Sequence, residues 1–144
     1  MKNLTNRMTI VAAAFLAVAS AASAQTMEAK IPFAFRAAGK VMAPGTYRVR
    51  MQVQPSGTPL LTISGHESGQ SVLAVAFGNG DPKAAWKATG DAVLSFECGN
   101  SRCSLKQAWM GAGASLVYRF PTPNLGADEP RHVAEISMRP LTAE

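Results

Sequence analysis

Period-two alternation over residues 27–53 is the feature that most constrains this chain. Met27, Ala29, Ile31, Phe33 and Phe35 are apolar and alternate with Glu28, Lys30, Pro32, Ala34 and Arg36. The pattern resumes with Tyr47, Val49, Met51 and Val53 set against Arg48, Arg50 and Gln52. A strand sends successive side chains to opposite faces, so each run reads as a half-buried strand. Between them Ala43-Pro44-Gly45-Thr46 predicts a type II turn, with Pro holding φ near −65° and Gly free to take positive φ.

The chain opens with Lys2 and Arg7, continues with an apolar run to about Val18, and reaches Ala22-Ser23-Ala24. A charged start, a short apolar centre and small residues at the cleavage positions are the pattern of a secretory signal peptide over residues 1–24. The apolar centre is short for a membrane span, and small residues follow it, not basic ones. Cleavage leaves 120 residues, a size at which one domain builds its own core. Residues 25–144 are therefore read as a single domain of an exported protein, periplasmic or secreted. Without the leader, 12 basic residues face 9 acidic ones, a net charge of +3 in place of +5. The basic residues are scattered, which argues against a nucleic-acid partner. No second apolar segment approaches spanning length, so the mature chain is not expected to be integral to the membrane.

Further along, residues 60–64 read as a short strand. The unbroken apolar run of residues 72–77 predicts a central strand covered on both faces, with a buried helix as the alternative, for which the run is short. Gly78-Asn79-Gly80-Asp81-Pro82 reads as a turn, and residues 83–89 fit either a short edge strand or a helical turn. Leu94, Phe96 and Cys98 alternate toward Gly99-Asn100-Ser101-Arg102, and Cys103, Leu105, Gln107 and Trp109 alternate beyond it, a hairpin pattern. Pairing Cys98 with Cys103 places Phe96 opposite Leu105 and Leu94 opposite Gln107. Cys98 and Cys103 are the only cysteines, so in an exported protein they predict a disulfide. Four residues separate them, not the two of redox-active motifs, which makes the bond a structural staple.

Residues 115–120 alternate as another strand. Residues 121–130, with three prolines, predict a loop. Residues 132–138 fit a last strand with Ala134, Ile136 and Met138 inward, and residues 139–144 are expected to fray. About seven or eight short strands and no convincing helix make the fold class all-β, an antiparallel sandwich or small barrel.

The chemistry-bearing residues form no catalytic pattern. His132 and Glu135 lie three apart, which on a strand places them on opposite faces, and His66-Glu67 has no nearby second ligand, so no metal site is expected. Ile63-Ser64-Gly65 and Glu67-Ser68-Gly69 lack the leading Gly of a nucleophile elbow. Gly78-Asn79-Gly80 lacks the setting of a phosphate loop, and no cofactor is expected. Tyr47 and Trp109 run in phase with apolar neighbours and are expected in the core. Trp86, between Lys83 and Lys87 in a polar stretch, is expected to be exposed, and the three residues form the candidate binding surface.

Ala29-Lys30-Ile31-Pro32-Phe33-Ala34-Phe35, then Gly39-Lys40, then Ala43-Pro44-Gly45-Thr46-Tyr47, resembles the opening of a group of small exported bacterial proteins. The shared pattern is an extended Pro-Phe segment, a Pro/Gly turn and a Tyr-led strand. The resemblance spans about 20 residues and implies export and a β-rich fold, but no catalytic residues. The expectation is a non-enzymatic binding or structural module of the cell envelope, with an envelope protein as partner. The alternative is a carrier of a small apolar ligand.

Overall fold

The computed structural model describes residues 25–123 and 130–141; the expected signal peptide lies outside the described residues. Eleven strands join in one sheet: β1 (Thr26–Ile31), β2 (Phe35–Ala37), β3 (Lys40–Met42), β4 (Gly45–Val53), β5 (Pro59–Gly65), β6 (Ser71–Val75), β7 (Gly78–Gly80), β8 (Ala92–Cys98), β9 (Cys103–Trp109), β10 (Val117–Arg119) and β11 (His132–Pro140). Among the described residues one helix, α1 (Ala84–Thr89), interrupts them. The order β3-β2-β9-β8-β11-β1-β4-β5-β6 curls into a nearly closed barrel, with β10 bridging β9 and β7. The all-β expectation holds. The strand number exceeds seven or eight because several strands are only three residues long.

The opening alternation builds one wall. Met27, Ala29 and Ile31 point inward from β1, as do Tyr47 and Val49 from β4, and Ala29 lies opposite Tyr47 in an antiparallel ladder. The first run is not one strand, however. Pro32 has no N–H for a ladder, and the chain breaks over residues 32–34. It resumes as β2, which leaves β4 behind, pairs in parallel with β9 and turns back into β3. The positive-φ turn also moves: Gly45 has no positive φ, whereas Ala38 (φ 49°) and Gly39 (φ 77°) form the two-residue β2–β3 hairpin. Positive φ at both positions is the type I′ pattern that matches strand twist. Ala38 has no side chain suited to it, and the left-handed region costs an ordinary L-residue about 1–2 kcal/mol. Ala38→Asn is expected to stabilise the protein by about 0.5–1 kcal/mol, raising the melting temperature by a few degrees. A lower melting temperature in a thermal scan would contradict the turn assignment.

The β8–β9 hairpin has the predicted register at its tip: Cys98 faces Cys103, and Phe96 faces Leu105. A bulge between Ser95 and Phe96 then shifts the pairing, so Leu94 meets Ala108, not Gln107. A one-residue shift reverses faces. Trp109 consequently leaves the barrel core and joins Trp86, Val93 and Val117 in a second buried cluster. Cys98 and Cys103 are disulfide-bonded, with Cα atoms 4.0 Å apart. Closing a six-residue loop is worth about 2 kcal/mol. Cys98→Ser is expected to lower the melting temperature with the fold intact, as seen by circular dichroism. Free thiols in the wild type together with an unchanged melting temperature would remove the staple from the account.

Of residues 83–89, Ala84–Thr89 resolve as helix, with Lys83 the extended residue before it. Ala84, Ala85 and Ala88 are strong helix formers, and Gly90 ends the turn at φ 74° with its N–H donating to the Trp86 carbonyl. Gly78–Gly80, expected as a turn, is strand β7 paired with β10. The strand expected over residues 115–120 is limited to Val117–Arg119. At the other end β11 continues into the residues expected to fray, of which 142–144 lie outside the described residues: Arg139 pairs with Glu28, Pro140 with Met27, and the Leu141 N–H donates to the Thr26 carbonyl.

Side chains fill the barrel. Ile31, Phe35, Met42, Tyr47, Leu61, Ile63, Leu94, Phe96 and Leu105 are all fully buried. Edge-to-face contacts run from Phe33 to Phe96 (5.2 Å between ring centres), to Phe35 (5.3 Å) and on to Tyr47 (5.3 Å).

Candidate functional site

The predicted surface around Trp86 is a packed joint. The short helix lays Trp86 on the outer face of the barrel, where it is only 5% exposed, which overturns its expected exposure. Its indole N–H donates to the Glu135 carboxylate on β11, and its ring stacks on Trp109 at 6.4 Å and 17°. Lys83 Nζ lies 5.1 Å from the ring centre, a cation–π contact. Trp109 donates to the Ala114 carbonyl at 2.9 Å. Lys83 and Lys87 are exposed, and Lys87 borders a cleft of about 340 Å³ with Asp81, Pro82, Trp109 and Ser115. The structure thus brings Trp86 and Lys83 together, but as cover for the sheet. The indole has too little open surface to receive a ligand ring.

A second site was hidden in the run of residues 72–77. β6 is not a central strand covered on both faces. It pairs with β5 alone and forms one end of the sheet. Val72 and Ala74 point into the core, while Leu73 is 58%, Val75 51% and Phe77 68% exposed. Across the seam stands the β2–β3 hairpin. At one end of the seam Lys40 Nζ donates to the Ser71 carbonyl at 3.0 Å, and the Ala43 N–H donates to Gln70 Oε1 at 3.2 Å. At the other end the Phe77 N–H donates to the Arg119 carbonyl at 3.0 Å. Between these closures the wall parts into a cleft of about 470 Å³, bordered by the Ala38–Gly39 turn, residues 73–75 and residues 121–123. Leu105 and Phe120 reach it from the barrel interior, and among the described residues no lining side chain is titratable.

The sequence signal for this cleft was the alternation of Leu73, Val75 and Phe77, masked by Val72, Ala74 and Ala76 between them. A continuous apolar run does not distinguish a strand buried on both faces from one with an exposed apolar face.

The remaining candidates stay apart. His66 and His132 are exposed, and His132 lies opposite Cys98 at the start of β11. Among the described residues no group of three or more His, Cys, Asp or Glu side chains is placed to hold a metal ion. Burial pushes the Tyr47 phenol above its ordinary pKa, partly offset by a hydrogen bond with Ser68. Glu97 is paired with Arg131 at 3.3 Å. Among the described residues no helix is long and apolar enough to cross a membrane. The molecule defined by these features is an all-β, nearly closed barrel with a filled interior and an apolar cleft in its wall. No family model matches the chain, and neither a curated protein nor a solved structure matches it.

Proposed function

We propose that the chain is a non-enzymatic, exported binding module of the cell envelope, and that the wall cleft is its working surface. The observation that carries this reading is the apolar cleft lying beside the exposed row Leu73, Val75 and Phe77. Large apolar side chains gathered at one exposed place mark an interaction site. Among the described residues, the cleft lining includes no acid, base or thiol with which to begin a reaction. Export rests on the leader pattern and on a disulfide suited to an oxidising compartment. A second reading, a carrier of a small apolar ligand, draws support from the cleft volume, which lies within the roughly 300–1,000 Å³ of small-molecule sites.

Site-directed photocrosslinking tests the proposal. Benzoylphenylalanine in place of Phe77, in the full chain expressed in its own host, is expected to give a discrete protein adduct. The same probe in place of Val133, which is 46% exposed on β11, is expected to give none. No adduct from Phe77, or the same adducts from both positions, overturns the partner-binding reading. A small molecule retained in native mass spectrometry would favour the carrier instead.

A further inference from the structure

We infer that the wall cleft recognises an extended polypeptide strand, which β6 takes up as an added member of the sheet. This rests on the reading of the cleft as the binding site and names its ligand class. The argument begins with hydrogen-bond parity. The Ala76 N–H donates to the Pro59 carbonyl, and the Gly65 N–H to the Gln70 carbonyl. In an antiparallel ladder, bonded and non-bonded pairs alternate. Residues 70, 72, 74 and 76 therefore face β5, while residues 71, 73, 75 and 77 turn their backbone groups to the open edge. Ser71 and Phe77 use theirs, through Lys40 and Arg119. Among the described residues, Leu73 and Val75 have no backbone partner on that edge.

The cleft is thus a gap in a hydrogen-bonded ladder, with two N–H donors and two carbonyl acceptors spaced as in a strand. A small apolar molecule filling it would cut those groups off from water, at about 1–3 kcal/mol for each one left unpaired. A strand satisfies all four and still buries the apolar lining, the chemistry of strand addition. Alternate residues of such a strand would project inward toward Leu105 and Phe120, and the others would lie beside Leu73 and Val75. The recognised segment is accordingly apolar on both faces at its centre. Ser71 to Phe77 spans about 20 Å at strand rise, room for about five residues. A second copy would have to bring its own β6 edge between the Ala38–Gly39 turn and residues 121–123, which border this one, whereas a single extended segment needs only its own width.

The probe is the peptide acetyl-Lys-Thr-Val-Val-Val-Thr-Lys-amide, titrated into the full mature protein and followed by amide NMR and hydrogen exchange. Saturable binding is expected, with the Leu73 and Val75 amides shifted and their exchange slowed by about tenfold or more. Methylating the central amide nitrogens of the peptide is expected to weaken binding by about tenfold or more, since the side chains remain and the ladder does not. Leu73→Pro removes one edge donor while sparing the bonds to β5, and should abolish binding. Should that variant fail to fold, Leu73→Lys places a charge on the same edge and serves in its place. Equal affinity for parent and methylated peptides overturns strand addition. Dodecanol binding in the cleft without peptide binding also overturns it, keeping the cleft as the binding site but favouring the carrier reading. Concentration-dependent self-association that protects the same two amides assigns the edge to a second copy instead. Failure of both probes, with no adduct from Phe77, removes both readings.

Discussion

Trp86→Ala is expected to lower stability by about 3–5 kcal/mol, a loss ordinarily reserved for central core positions. The reason is that one side chain carries three contacts. Its ring covers Trp109 and the neighbouring Val93 and Val117, its N–H ties α1 to Glu135 on β11, and Lys83 lies against it. Glu135 is exposed, so its carboxylate returns to water when the indole is lost, and the cost comes mainly from the apolar surfaces uncovered. The chain has only two tryptophans, so emission from the Trp86→Ala variant reports Trp109 alone. Denaturant titration should give the lower stability, and folded-state emission should shift to the red as water reaches Trp109. Glu135→Ala isolates the hydrogen bond and is expected to cost about 1–2 kcal/mol. A loss below about 1 kcal/mol for Trp86→Ala, with unshifted emission, would mean that the helix is not docked.

Phe96→Ala is expected to cost about 3–5 kcal/mol by a different route. Phe96 is fully buried and meets both Phe33 and Phe35 edge to face. Its removal opens a cavity in a filled barrel, where backbone ladders on both sides of β8 limit collapse. Phe33 is only partly buried, so Phe33→Ala should cost less. A double-mutant cycle between Phe35 and Phe96 should return a coupling of about 0.5–1.5 kcal/mol, the usual worth of an aromatic pair. If Phe96→Ala proved nearly neutral in denaturant titration, the barrel interior would not be packed as described.

What could be read in advance follows from what a strand records locally. Alternation revealed the inward faces of β1 and β4, and the cysteines with Phe96 and Leu105 disclosed the hairpin tip. Pro32 carried its own warning, since a proline inside a strand pattern marks an edge or a break. The bulge between Ser95 and Phe96 left no such mark, and it alone moved Trp109 to the other face. Trp86 was misjudged because Glu135, which accepts its N–H, lies 49 residues away, and a polar local setting says nothing of such a partner. The cleft was hidden for a related reason. Whether β6 is central or terminal depends on where β2 and β3 come to rest, and the pairing of β2 with β9 has no local signal.

The place of β1 in the sheet governs the order in which the fold can be assembled. β4, β5 and β6 form a meander of neighbours in sequence, and β8 with β9 forms a hairpin, so each can pair at small loop-closure cost. These two nuclei are joined in the sheet only through β1 and β11, the first and last strands of the eleven. Completion therefore waits for contacts between residues more than a hundred positions apart, such as Met27 with Pro140. Such high contact order makes for slow folding and leaves the facing edges of β1 and β11 unpaired until that contact is made. The β1–β11 contact is the ladder of greatest sequence separation among the described strands, and so the one with the largest closure entropy to overcome.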